Sequence, residues 1–216
     1  ESWIDMEGNP YFYGLSSHEN VEIKLYNKAN PLKPWKTMGR MHDKYLIADG
    51  KIYILGGRNT YNYFLGDFPG HKNFDRDVLV VCDEPQKDNS VNQLWNYFET
   101  IWEQEDCRYF HNSKKLADRQ SVKKAVLELQ EGYQQYFEVN KEKICDTDYA
   151  DETFETEKIT LLSNPIHTQA KEPVVWYQLG ELMKNAKERV KIHTPYIICN
   201  DMMYNTWEEI AQKVPD

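Results

Sequence analysis

No stretch of this chain approaches eighteen consecutive apolar residues, so a membrane-crossing helix is not expected. Cysteine is sparse: Cys82, Cys107, Cys145 and Cys199 are scattered without C-x-x-C spacing, which indicates neither a zinc site nor a disulfide framework. An excess of basic charge is also missing, with 26 Lys and Arg against 35 Asp and Glu and a net charge of −9. The imbalance is local. Residues 1–80 carry ten basic and ten acidic side chains, whereas residues 81–160 carry ten and eighteen, which suits a solvated outer surface. No basic stripe of the kind that tracks a phosphate backbone is evident, so nucleic acid is not the expected partner. A polybasic patch for lipid headgroups is not evident either.

What is present suits a packed α/β protein. At 216 residues with 40% hydrophobic content, the chain can bury a real core, and its 15 Tyr and 6 Trp suit sheets and helices with polar edges. Val21 to Leu25, Met41 to Ala48, Lys51 to Leu55 and Asn73 to Val81 alternate as strands do. Asn89-Ser90 can cap a helix with Leu94, Trp95, Phe98, Ile101 and Trp102 in one stripe. A second helix is expected over about 117–138, with Val122, Ala125, Val126, Leu129, Tyr133 and Tyr136 inward. Residues 145–157 are acidic and poor in apolar side chains, as an exposed linker would be. Ile159 to Leu162 then reads as a strand, Val174 to Glu188 as a helix and Val190 to Cys199 as a further strand. This order predicts an α/β sandwich, a mixed sheet flanked by helices.

One constellation carries chemistry. Within MHDKYLIADGKIYILGGRN, the residues His42, Lys44, Asp49, Gly56, Gly57 and Asn59 form the pattern H-x-K-x4-D-x6-G-G-x-N. Alternation places His42, Lys44 and Leu46 on one face of a strand. Asp49-Gly50 signals a tight turn, and Asp49 is expected to hold that turn rather than to react. Gly56-Gly57 ends the returning strand where backbone can approach a ligand, and Asn59 follows. A lone strand histidine is usually structural, but a lysine sharing its face would be costly to leave unpaired. An imidazole, an ammonium and an amide together can hold and attack an anionic phosphorus. Asp77, at the head of the next strand, is the best candidate to orient the imidazole, with Asp75 in reserve. The alternative is that both carboxylates simply pair with Arg76 or Arg58 at the sheet rim.

The pattern resembles the HKD signature of the phospholipase D superfamily. Gly56-Gly-Arg-Asn59, Gly39-Arg-Met-His42, His18 to Asn27, Tyr63-Phe64 and Asp75 to Val80 look like its cardiolipin-synthase branch. Trp95 to Trp102 and Val190 to Tyr196 continue the same order of elements. The likeness covers most of the chain, weakly over 105–155. It implies a phospholipase D-like fold and phosphatidyl transfer through a phosphohistidine. His42 would attack phosphorus or pass a proton, and Lys44 and Asn59 would hold the phosphoryl oxygens. The substrates would be a phospholipid and an alcohol acceptor or water, with no metal and no other cofactor. Gly57 departs from the family, which mostly carries Ser there, and this removes one hydroxyl donor.

The superfamily pocket joins two such motifs, yet His42 and Lys44 form the one H-x-K of this sequence. The expectation is therefore a fragment: residues 1–145 as the later part of a first repeat, 146–157 as linker, and 158–216 as the opening of a second. A second H-x-K half, or a homodimer, would complete the site. The parent is expected at a membrane surface, peripherally or on its cytoplasmic face. The alternatives are a phosphodiesterase or nuclease of the same superfamily and a silent binding module.

Overall fold

Asp49 and Gly50 turn the chain as their residue types require. Both lie in the left-handed region, with φ of 52° and 65°, and the Lys51 N–H closes the turn on the Ala48 carbonyl at 3.0 Å. The turn joins β2 (Lys44–Ala48) to β3 (Ile52–Gly56), and β3 pairs in turn with β4 (Asp77–Val81). This computed structural model describes residues 3–61, 64–65, 70–82, 88–111, 113–148, 151–167, 172–194 and 196–214. Tyr63 and Pro195, which fall in two of the stretches behind the family resemblance, lie outside them.

The remaining elements are the helices α1 (Trp3–Met6) and α2 (Pro10–Ser16), strand β1 (Lys24–Tyr26), α3 (Ser90–Trp102), β5 (Cys107–Tyr109), α4 (Lys114–Ala117), α5 (Gln120–Cys145), α6 (Val174–Lys184) and α7 (Asp201–Lys213). The protein is of mixed α and β type. Its described strands form two small sheets, β1-β5 and β2-β3-β4, and every pairing is antiparallel rather than mixed. The strands expected over 159–162 and 190–199 do not form a ladder among the described residues. Alternation marks which residues suit a strand, but a strand exists only where another supplies the facing N–H and C=O groups.

Two compact units divide the chain, residues 1–161 and 162–216. In the first, one cluster joins Met6, Tyr13, Leu25, Phe110 and Val122. The other seats Tyr53 and Val80 of the three-stranded sheet against Val91 and Leu94 of α3. That helix starts where the sequence predicts, with the Asn89 side chain accepting the Asn92 N–H at 2.8 Å. Its stripe is only half buried in fact: Leu94 and Ile101 are enclosed, while Trp95 is exposed. Helix α5 runs seven residues beyond the expected end. Val122 and Ala125 are buried, but Leu129, Tyr133 and Tyr136 are exposed, because among the described residues only the first turns of the helix pack on other elements.

The opposite face of the three-stranded sheet has no covering helix among the described residues: Leu46 is 58% and Ile54 41% exposed. The expected sandwich is thus covered on one side. In the second unit, α6 and α7 pack through Trp176 against Trp207, ring centroids 5.3 Å apart. Lys184 bridges them by an ion pair to Glu209 at 2.7 Å.

Candidate functional site

Antiparallel register gathers the motif at one end of the sheet. Lys44, first in β2, faces Gly56, last in β3, and Gly56 faces Asp77, first in β4. Residues directly opposite share a face, so Lys44, Gly56 and Asp77 form one row. His42 lies two residues ahead of the strand rather than within it. Its ring is nevertheless on the lysine: Lys44 Nζ stands 2.8 Å from His42 Nδ1 and donates to the His42 carbonyl at 2.6 Å. A charged ammonium can only donate, so Nδ1 accepts and the neutral ring then carries its proton on Nε2. Burial lowers the Lys44 pKa from its ordinary value, and the nearby Asp43 and Asp75 carboxylates oppose that shift.

The acids are arranged differently from the expected orienting role. Asp77 Oδ2 accepts from Arg58 Nε at 2.6 Å, so the rim ion pair weighed above exists for Asp77. Arg58 also donates to the carbonyls of Phe64 at 2.9 Å and Asp75 at 3.1 Å, holding the β4 approach against the end of β3. No hydrogen bond of the described residues joins Asp77 or Asp75 to His42. Asp77 Oδ1 is buried with no hydrogen-bond partner among the described residues, so one oxygen of this carboxylate is paired with Arg58 and the other is enclosed against Gly56 without a donor.

The two glycines answer to these acids. A Cβ on Gly56 would fall 1.8 Å from Asp77 Oδ1, and one on Gly57 would fall 2.9 Å from Asp75 Oδ1. Neither glycine has positive φ. The space they leave is filled by carboxylates, which corrects the expectation that it admits a ligand directly. Asn59 is exposed, and no hydrogen bond ties it to His42 or Lys44. Asp49 stays at the far hairpin turn, at the opposite end of β2 from Lys44.

Sequence reasoning missed Asp43 and Tyr97. Tyr97 of α3 donates to Asp43 Oδ2 at 2.6 Å, fixing the residue between His42 and Lys44 onto the covered side of the sheet. Tyr45 packs edge-on to Tyr97, ring centroids 6.2 Å apart. Burial, reinforced by the Asp43 charge, pushes the Tyr45 phenol up to about 12. Burial and then the Asp43 hydrogen bond raise Tyr97 still further. The signal was available in alternation: if His42 and Lys44 face one way, Asp43 and Tyr45 must face the helix. No three His, Cys, Asp or Glu side chains come together as a metal site among the described residues.

Among known proteins, the chain is similar to an uncharacterized protein of Helicobacter pylori, 24% identical over 227 residues. The alignment spans 92% of this chain and 42% of that protein, less than half of the relative's length. No family model matches the chain. No solved structure matches it.

Proposed function

We propose that the chain carries half of a phospholipase D-like active site, in a protein that transfers or hydrolyses phosphatidyl groups in the manner of the cardiolipin-synthase branch. The observation that carries this reading is the Lys44–His42 contact of 2.8 Å at the sheet end where Gly56 and Asp77 also converge. In the arrangement seen, Lys44 caps Nδ1 and His42 Nε2 holds a proton, so the ring is set to protonate a leaving alcohol. An arriving phosphodiester offers Lys44 a better acceptor. When the ammonium turns to the phosphoryl oxygens, Nδ1 is released to take the proton and Nε2 becomes free to attack phosphorus. The unpartnered Oδ1 of Asp77 would have to turn out of its seat against Gly56 to receive an imidazole N–H and stabilise its charged form. Asn59 lies two residues beyond the glycines, and on this reading it serves as an oxyanion donor.

A second histidine is required for the complementary proton transfer. It comes from a second H-x-K half or from a second copy of this chain. In the first step one imidazole bonds to phosphorus while the other protonates the departing alcohol. In the second, a glycerol headgroup or water loses its proton to that base as the phosphorus–nitrogen bond breaks. On this reading the fold is phospholipase D-like and the protein works peripherally at a lipid surface. No described helix is long and apolar enough to cross a membrane.

The test is a quenched reaction of the full-length protein with phosphatidylglycerol, followed by mapping of any acid-labile phosphohistidine. An adduct on His42 or on its partner histidine is expected. Turnover that persists in a His42→Ala variant, with no adduct on either ring, overturns the reading. A nucleic-acid phosphodiesterase is the second reading, favoured by the cation cluster described below, and a short single-stranded DNA oligonucleotide in the same assay separates the two.

A further inference from the structure

Between β1 and the site, residues 27–39 form a loop whose ends are tied together. Asn27, at φ 45°, donates through Nδ2 to the carbonyls of Lys36 and Gly39, both at 2.6 Å. Within it the Asn30 side chain accepts the Leu32 N–H at 2.9 Å, and residues Pro34–Met38 make a 3₁₀ turn. Such closed ends and internal bonds define a built surface loop rather than a slack one.

Its tip is apolar and unprotected. Leu32 is 84% and Trp35 71% exposed, close together in Pro31-Leu-Lys-Pro-Trp35. Around the base is a cavity of about 250 Å³ lined by Lys28, Lys33, Lys36 and Arg108, with Asp106 the one acid. Lys36 is paired with Asp106 at 3.3 Å and Lys28 with Glu7 at 3.1 Å. Lys33, Arg40 and Arg108 take part in no ion pair among the described residues. Residues 23–42 contain five basic and no acidic side chains, in a chain whose net charge is −9.

We infer that this loop docks the protein on an anionic lipid surface, with Leu32 and Trp35 entering the headgroup boundary and the cations resting on phosphate. Charge complementarity chooses the occupant. An exposed Leu and Trp gain nothing from a phosphate backbone alone, whereas an amphipathic indole flanked in sequence by Lys33 and Lys36 is suited to the bilayer interface. The chain runs from Gly39 to His42 in three residues, a reach of at most about 11 Å. Docking therefore brings the candidate site to the same surface. The inference goes beyond the proposed chemistry and stands whether or not His42 is catalytic.

The experiment is co-sedimentation of the full chain with vesicles of phosphatidylcholine alone or with about one third phosphatidylglycerol. Binding is expected only to the anionic vesicles, weakening steeply with added salt. Lys33→Gln and Arg108→Gln should each weaken it about fivefold. Leu32→Ser with Trp35→Ser should weaken it about tenfold or more, with the far-ultraviolet circular dichroism unchanged because both side chains are exposed. His42→Ala should bind like the wild type, which separates docking from catalysis. Equal binding to both vesicles, binding indifferent to all four substitutions, or retention of a single-stranded oligonucleotide without vesicle binding would each overturn the inference.

Discussion

The end of the three-stranded sheet and the loop of residues 27–39 are neighbours in sequence and opposites in construction. At the sheet end, polar side chains are partnered: Lys44 on His42, Arg58 on Asp77, Tyr97 on Asp43. On the loop, Lys33 is exposed and the largest apolar side chains face outward. Mutual partners fix the position of a side chain, because moving any one of them leaves another without its hydrogen bond. Exposed cations hold no geometry, but they stay available to a surface that has none of its own. On the proposed readings, one region makes and breaks bonds and the other attaches the protein.

The largest expected effect falls on the sheet end. His42→Ala should lower phospholipid turnover by the full-length protein about a hundred- to ten-thousandfold. Thermal unfolding should stay where it was, since the ring is exposed. Turnover within a factor of two of wild type would break the comparison at its catalytic side.

Asp77→Asn should follow, with activity lower by about ten- to a thousandfold at roughly 1.4 kcal/mol per decade. The Arg58 pair adds a stability cost of about 1–2 kcal/mol, measurable by urea unfolding. Lost activity with unchanged stability would mean the ion pair contributes nothing net. Unchanged activity would hand the acid's role to Asp75 or to none.

Gly56→Ala tests the packing of acid on glycine. The added methyl would overlap Asp77, whose Oδ1 lies 1.8 Å and Cα 3.0 Å from the Cβ position. A destabilisation of about 1–3 kcal/mol is expected. Gly57→Ala meets only the movable end of Asp75 and should cost under about 1 kcal/mol. Equal costs in urea unfolding would show that the row of Lys44, Gly56 and Asp77 is looser than the register requires.

The smallest effects concern the Asp43 anchor. Tyr97→Phe should lower kcat about tenfold with KM unchanged, through misplacement of His42. Raised phenol pKa values contribute stability that is present below the ordinary tyrosine value of about 10 and is lost as pH rises through the folded one. For Tyr45, held near 12, stability should fall between about pH 10 and 12, and Tyr45→Phe should flatten that fall. A wild-type profile flat across this window would remove the burial argument.

The hairpin was legible because its causes are local. Asp49-Gly50 can adopt φ values that most residues resist, and alternation then sets which side chains share a face. The clustering of Lys44, Gly56 and Asp77 also follows from sequence once the turn and the pairing are granted. Helix α3 was legible at its cap and less so along its stripe, since Trp95 is apolar yet 42% exposed. The long exposed stretch of α5 misleads for the same reason: periodicity reports what could be buried, not what there is to bury it.

The sequence by itself determined the turn, the alternation and the chemistry of the H-x-K-x4-D-x6-G-G-x-N residues, because each depends on contacts within a few positions. Tertiary structure alone decided that Asp77 answers to Arg58, that Tyr97 grips Asp43, and that Arg108 joins Lys28, Lys33 and Lys36 around one cavity. Charge counted along the chain averages over residues that folding separates and misses those it gathers. A local field is set by distance in space, and that distance exists only once the sheets have closed.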